Sequence, residues 1–192
     1  MAIAFSAVLL AGGKSSRMGR DKAFIEFEGV PLWRRQLGVL RQLHPTEIFI
    51  AGPLRPEWSG ACDAVLPDTN GDSGPLAGLL SGFHHGTTPF LLALAIDMPQ
   101  MTAEFLIELT ASCGLGEGVV PVMNERYEPL AAVYPRAAAT IAEAQMRAGH
   151  LSLQDFVRAC LVAGFLREKR LAPSTHSLFL NLNTPNDLSS MR

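Results

Sequence analysis

Four basic side chains follow directly on a double glycine in LLAGGKSSRMGRDK, residues 9 to 22. Lys14, Arg17, Arg20 and Lys22 against Asp21 give +4 − 1 = +3 within nine residues. Gly12 and Gly13 let the backbone turn sharply with no Cβ to hold a ligand off, and the amides of such a turn form a cradle for anions. A phosphate chain is the guest this chemistry fits. The alternative for an arbitrary basic cluster is a set of solvated loop charges, but its position after a buried strand and a glycine turn favours the phosphate site. Two better-known phosphate loops are absent. GxxxxGK[ST] ending at Gly13-Lys14-Ser15 needs glycine at position 8, which is Val8, and no second glycine falls in register for GxGxxG.

A second candidate is Asp97 in AIDMP, at the end of the apolar run FLLALAI, residues 90 to 96. A carboxylate at the carboxyl end of a buried parallel strand sits where open α/β sheets bind ligands. Magnesium takes one or two such carboxylates and completes its shell with phosphate oxygens and water. The competing role for Asp97 is a turn or cap before Met98-Pro99; for Asp68, in PDTNGD, a simple turn competes more strongly. His84 and His85 are adjacent, so on a helix they point about a third of a turn apart and chelate one ion poorly. His44, His150 and His176 are isolated, leaving no evident general base. Cys62, Cys113 and Cys160 are widely spaced and odd in number, which suggests neither a disulfide framework nor a zinc site.

The elements that must carry these residues alternate in period. AVLLA (7–11), EIFIA (47–51) and FLLALAI (90–96) read as parallel strands covered on both faces. Between them the spacing predicts helices: Pro31 at an N1 position before Trp33, Leu37, Leu40 and Leu43, and Pro75 before Leu76, Leu79, Leu80 and Phe83. Thr102 caps a further helix carrying Phe105, Leu106 and Leu109. Ser152 with Asp155 opens another, burying Leu153, Phe156, Val157, Cys160 and Leu161. GVVPVM (118–123) and LAAVY (130–134) form strands joined by NERYEP, with one expected antiparallel as an added edge. The expectation is a three-layer α/β/α fold around a mostly parallel open sheet, in a single domain over residues 1–192.

The 192 residues are 48% hydrophobic and carry a net charge of only −2, so a nucleic-acid partner is not expected. Residues 1 to 11 lack a basic leader region and are too short to span a bilayer before Gly12 and Lys14, so no membrane partner and a cytoplasmic location are expected.

LAGGKSSRMGRDKA resembles the LAGGxSxRMGxDKA signature of the molybdenum cofactor guanylyltransferases, within the wider nucleotidyltransferase superfamily. The likeness continues in family order through DSGPLAGLLSGF, AIDMP, RYEPLAAVY and FLNLNTPNDL, over essentially the whole chain. The resemblance implies transfer of GMP from GTP to the terminal phosphate of molybdopterin. It puts Leu10, Ala11, Gly12, Gly13, Lys22 and Asp68 on the nucleotide, and Asp97 on the nucleotide's magnesium. The charge of the glycine loop gives Lys14 and Arg17 to the phosphates, and the resemblance favours Asn181 and Asn183 on the pterin. Other molybdenum cofactor biosynthesis or acceptor proteins are further candidate partners. Some relatives carry an asparagine after the second strand, where this chain has Ala51-Gly52-Pro53.

A phosphate monoester has a second pKa of about 6, so this acceptor attacks without deprotonation and the missing general base is no obstacle. Two alternatives share the glycine loop: a CTP-dependent molybdopterin or sugar-phosphate nucleotidyltransferase, and a nucleotide-binding regulator without turnover. RYEPLAAVY favours the guanylyl branch, because cytidylyl relatives tend to carry a histidine-proline pair there. Lys22 together with Asp97 favours an enzyme over a regulator. For NLNTPNDL, an extended LFLNLN would put Asn181 and Asn183 on one side and Leu180 and Leu182 on the other, with Asp187 opening a terminal helix. The competing reading is a turn and cap that only closes the fold.

Overall fold

The computed structural model describes residues 3–12, 21–67, 74–182 and 187. Of the candidate residues, Gly13, Lys14, Arg17, Arg20, Asp68 and Asn183 lie outside the described residues. In chain order the strands and helices are β1 (Phe5–Leu10), β2 (Glu26–Phe27), β3 (Val30–Pro31), α1 (Leu32–Gln42), β4 (Glu47–Ala51), β5 (Ala64–Leu66) and α2 (Gly74–His85). They continue as β6 (Phe90–Ala95), α3 (Ala103–Ala111), β7 (Gly118–Met123), β8 (Arg126–Tyr127), β9 (Ala131–Pro135), α4 (Ala139–Arg147), α5 (Leu153–Val162) and β10 (Leu166–Arg170).

The main sheet has the order β10-β7-β9-β6-β1-β4-β5, with β8 paired to β7. β1 runs parallel to β4 and β6, β4 to β5, and β10 to β7. β9 is antiparallel to both β6 and β7. Every residue of β1 and β6 is buried, as their unbroken apolar runs require. Alternation then sends successive side chains to opposite faces. Ala7, Leu9 and Ala11 join Leu37, Leu40, Leu106 and Leu109 in a core under α1 and α3. Val8 and Leu10 join Leu76, Leu79, Phe83, Ala142 and Phe156 in a second core under α2, α4 and α5. Two cores flanking one sheet make the three layers.

The expected caps form: Phe105 N donates to Thr102 Oγ1 at 3.3 Å and Asp155 N to Ser152 Oγ at 3.3 Å. Pro31 stands one position earlier than expected, at the N-cap of α1 rather than at N1. His84 pairs with Glu143 at 2.9 Å and His85 with the Ser81 carbonyl at 3.0 Å, so the two rings diverge as the helix dictates.

Two further expectations fail. The antiparallel strand is not an edge: β9 lies inside the sheet between β6 and β7, and the edge beyond β7 is β10. This insertion needs a glycine, because a Cβ at Gly118 would stand 2.1 Å from the Val133 carbonyl oxygen. LFLNLN is not a strand either. Pro173–Phe179 winds into 3-10 turns and the chain then continues without regular pairing, leaving Leu180 47% exposed while Leu182 is fully buried. The two leucines therefore do not share one face.

The topology collects one rim. The carboxyl ends of β1, β4, β5, β6, β7 and β10 lie on the same side of the sheet, and the reversed β9 adds its amino end there. Leu10, Ala51, Leu66, Ala95, Met123 and Ala131 border that rim.

Candidate active site

At the centre of the rim the Lys22 ammonium stands 3.1 Å from Asp97 Oδ2. Their side chains are 21% and 23% exposed, sheltered enough to strengthen the attraction yet open to a ligand. The sequence separates these residues by 75 positions. Lys22 opens a 3-10 turn, Lys22–Phe24, whose N-cap Asp21 accepts from Ala23 N at 3.0 Å. Asp21 is itself held by Arg55 at 2.6 Å, which ties the start of this 3-10 turn to the segment after β4.

Asp97 lies two residues beyond β6, in a loop fixed through three successive carbonyls. The Asp97 carbonyl accepts from Leu182 N at 2.8 Å, that of Met98 from Gln36 Nε2, and that of Pro99 from Arg35 Nε at 2.6 Å. Gln36 is fully buried on α1, and the Arg35 guanidinium also lies over the Phe27 ring at 5.0 Å. One helix and the chain end thus position the carboxylate without touching it.

On the opposite side, Ile96 N donates to the Leu10 carbonyl at 3.1 Å, Ala11 N to Ala51 at 2.8 Å and Gly52 N to Leu66 at 3.0 Å. These bonds set Leu10, Ala11 and Gly12 in line with the end of β4. A Cβ at Gly52 would approach the Ala11 carbonyl carbon and Gly12 N to 3.0 Å. Glycine after β4 is therefore a packing requirement of the Ala11–Gly12 backbone in this chain.

The structure brings together Leu10, Ala11, Gly12, Lys22 and Asp97. Asn181 is exposed and adjoins Leu182, so its segment reaches the Asp97 loop through main-chain pairing rather than as a strand. The residues that inspection of the sequence missed are Gln36, Arg35 and Arg55. Nothing in their type marks them, since they act on backbone carbonyls or on a cap. Burial pushes the Cys113 thiol up to about 11 and that of Cys160 to about 12.

Among the described residues, no group of three or more His, Cys, Asp or Glu side chains could hold a metal. A single strand-end carboxylate suits a hard cation whose other positions are filled by phosphate and water.

An open α/β sheet with this strand-end pair is a nucleotidyltransferase fold, and known proteins show the same. A nucleotidyl transferase from Methanothermobacter thermautotroptrophicus superposes with a TM-score of 0.76 at 18% identity, covering 98% of this chain and 96% of that one. Molybdopterin-guanine dinucleotide biosynthesis protein A from Archaeoglobus fulgidus gives 0.74 at 22% identity, covering 97% and 96%. A probable molybdenum cofactor guanylyltransferase of Opitutus terrae is 33% identical over 189 residues, 97% of this chain and 94% of the relative. Residues 7–163 match the MobA-like NTP transferase domain, and the chain belongs to that family of nucleotidyltransferase enzymes.

Proposed function

We propose that the enzyme transfers GMP from GTP to the terminal phosphate of molybdopterin in molybdenum cofactor biosynthesis, releasing pyrophosphate. The observation that carries this reading is the Lys22–Asp97 pair at 3.1 Å, set between the ends of β1 and β6. The names of the relatives support the choice of substrates.

In the reaction an oxygen of the acceptor phosphate attacks the α-phosphorus of GTP in line. A new P–O–P bond forms, the bond from the α-phosphorus to the bridging oxygen breaks, and pyrophosphate leaves with the electron pair. The dianionic acceptor needs no base, so the chain's part is alignment and charge neutralisation. Leu10, Ala11 and Gly12 present backbone groups to the nucleotide. Lys22 neutralises charge at the transferring group, with Lys14 and Arg17 assigned to the remaining phosphates. Asp97 would hold magnesium, with Asp68 on the nucleotide's side. Magnesium bound there would polarise the α-phosphate and offset charge on the leaving pyrophosphate. Asn181 and Asn183 are assigned to the pterin, whose donors and acceptors a neutral amide can match.

The assignment is tested by following label from GTP carrying radioactive phosphorus at the α or the γ position. The reading requires α-label in the pterin product and γ-label only in pyrophosphate. γ-Label in the product would mean phosphoryl rather than nucleotidyl transfer.

A further inference from the structure

Glu128 is a half-buried carboxylate on the rim, and among the described residues it makes no side-chain hydrogen bond or ion pair. Other carboxylates are engaged: Asp97 by Lys22, Glu125 by Arg170 at 3.3 Å, and Glu168 by the Tyr127 hydroxyl at 3.1 Å. Burial raises its pKa, with the Arg126 charge opposing. Its oxygens stay open to solvent, where a ligand can reach them.

Its backbone is rigidly held. Glu128 N donates to the Pro121 carbonyl at 2.9 Å, Ala131 N to the Glu128 carbonyl at 3.2 Å, and the buried Tyr134 hydroxyl to the Pro129 carbonyl at 2.7 Å. Two residues on, at most about 7 Å of extended chain, Leu130 accepts from Ala95 N at 2.7 Å, directly ahead of the Asp97 loop. Tyr127 packs towards the core under α2, α4 and α5. Met123, the register partner of Arg126, packs towards the core under α1 and α3. Alternation therefore returns Glu128 to the face of Arg126, which is also the face where Phe179 and Leu182 bury and the Asn181 segment runs.

We propose that Glu128 recognises the acceptor, its carboxylate taking two hydrogen bonds from the amino group and adjoining ring N–H of a 2-amino-4-oxopyrimidine edge. This rests on the molybdopterin reading above. Guanine presents the same edge, but the Leu10–Gly12 turn lies along β1 and β4, whereas Glu128 lies beyond β6 at the β7–β9 end. The acceptor's pterin is the ring on that side.

The test uses the full chain and its Glu128→Gln, Glu128→Ala and Glu128→Asp variants. The glutamine variant turns one acceptor oxygen into a donor facing a donor. The KM for molybdopterin should rise roughly 10- to 100-fold, with GTP affinity by calorimetry unchanged and Glu128→Asp partly restored. A second readout needs no turnover: binding of 6-hydroxymethylpterin against 6-hydroxymethyllumazine, which lacks the amino group, followed by ligand fluorescence. Wild type should prefer the pterin and Glu128→Gln should lose that preference. An unchanged molybdopterin KM, loss of GTP affinity instead, or a wild type indifferent between the two rings would overturn the proposal. If wild type fails to turn over molybdopterin, the acceptor reading falls, and the pterin–lumazine comparison still decides the role of Glu128.

Discussion

Replacing Asp97 with asparagine keeps the size of the side chain and removes the charge that pairs with Lys22. The loop that carries it depends on carbonyl bonds from Leu182, Gln36 and Arg35, none of which the substitution alters. Asp97→Asn should therefore leave the melting temperature close to that of wild type. At saturating GTP and magnesium its turnover should drop by several kcal/mol of transition-state stabilisation, measured as pyrophosphate release. Wild-type turnover in this variant would remove Asp97 from the mechanism. The contrast between charge and support applies to the whole site: Lys22 and Asp97 carry its charge, while Gln36, Arg35, Arg55 and Gly52 fix the backbones around them.

At the scale of elements, the foot of the sheet is tied by a separate polar network. Glu47, at the start of β4, accepts from Ser6 Oγ of β1 at 2.6 Å and from Thr87 N, ahead of β6, at 2.9 Å. Burial alone would raise its pKa, but the bonds from Ser6 and Thr87 and the Arg136 charge outweigh that and hold it below 4.5. A depressed carboxyl contributes stability that is present above its unfolded pKa and lost as pH falls through the folded one. The advantage of wild type over Glu47→Gln in urea unfolding should thus be full above pH 4.5 and shrink as the pH falls below it. An advantage that stays constant down to the acid transition would contradict the network's role. The three strands that meet here were legible because their runs are apolar throughout. β10 was not, since LREKR is an edge strand with only Leu166 buried and no apolar pattern to read. Nor was the interior place of β9, because strand order depends on long-range pairing that local periodicity does not carry. At the site, Lys22 and Asp97 announced themselves by charge and position. The clamp on residues 97–99 could not, since its acceptors are main-chain carbonyls that every residue possesses.

Taken whole, the molecule divides its rim into two halves about the seam between β1 and β6. The β1–β4–β5 half carries Gly12, and the β6–β9–β7–β10 half carries the loop of Glu128 and faces the segment of Asn181. Reversal of β9 is what delivers that loop to the same rim as Asp97. The net charge of −2 set against +3 in residues 14–22 confines the excess of positive charge to that stretch of the sequence. Among the described residues no helix is long and apolar enough to cross a membrane. Under the proposed function, the main chain of Leu10 to Gly12 is expected to select the base. Guanine offers an O6 acceptor and N1 and N2 donors that such groups can pair with, and a base lacking them leaves buried partners unsatisfied, at a cost of about 1–3 kcal/mol. The most direct test of the proposed reaction is pyrophosphate release from each of the four nucleoside triphosphates with magnesium, with and without molybdopterin. The account predicts rapid release only when GTP and molybdopterin are both present; release that favours CTP, or that proceeds equally without molybdopterin, would contradict it.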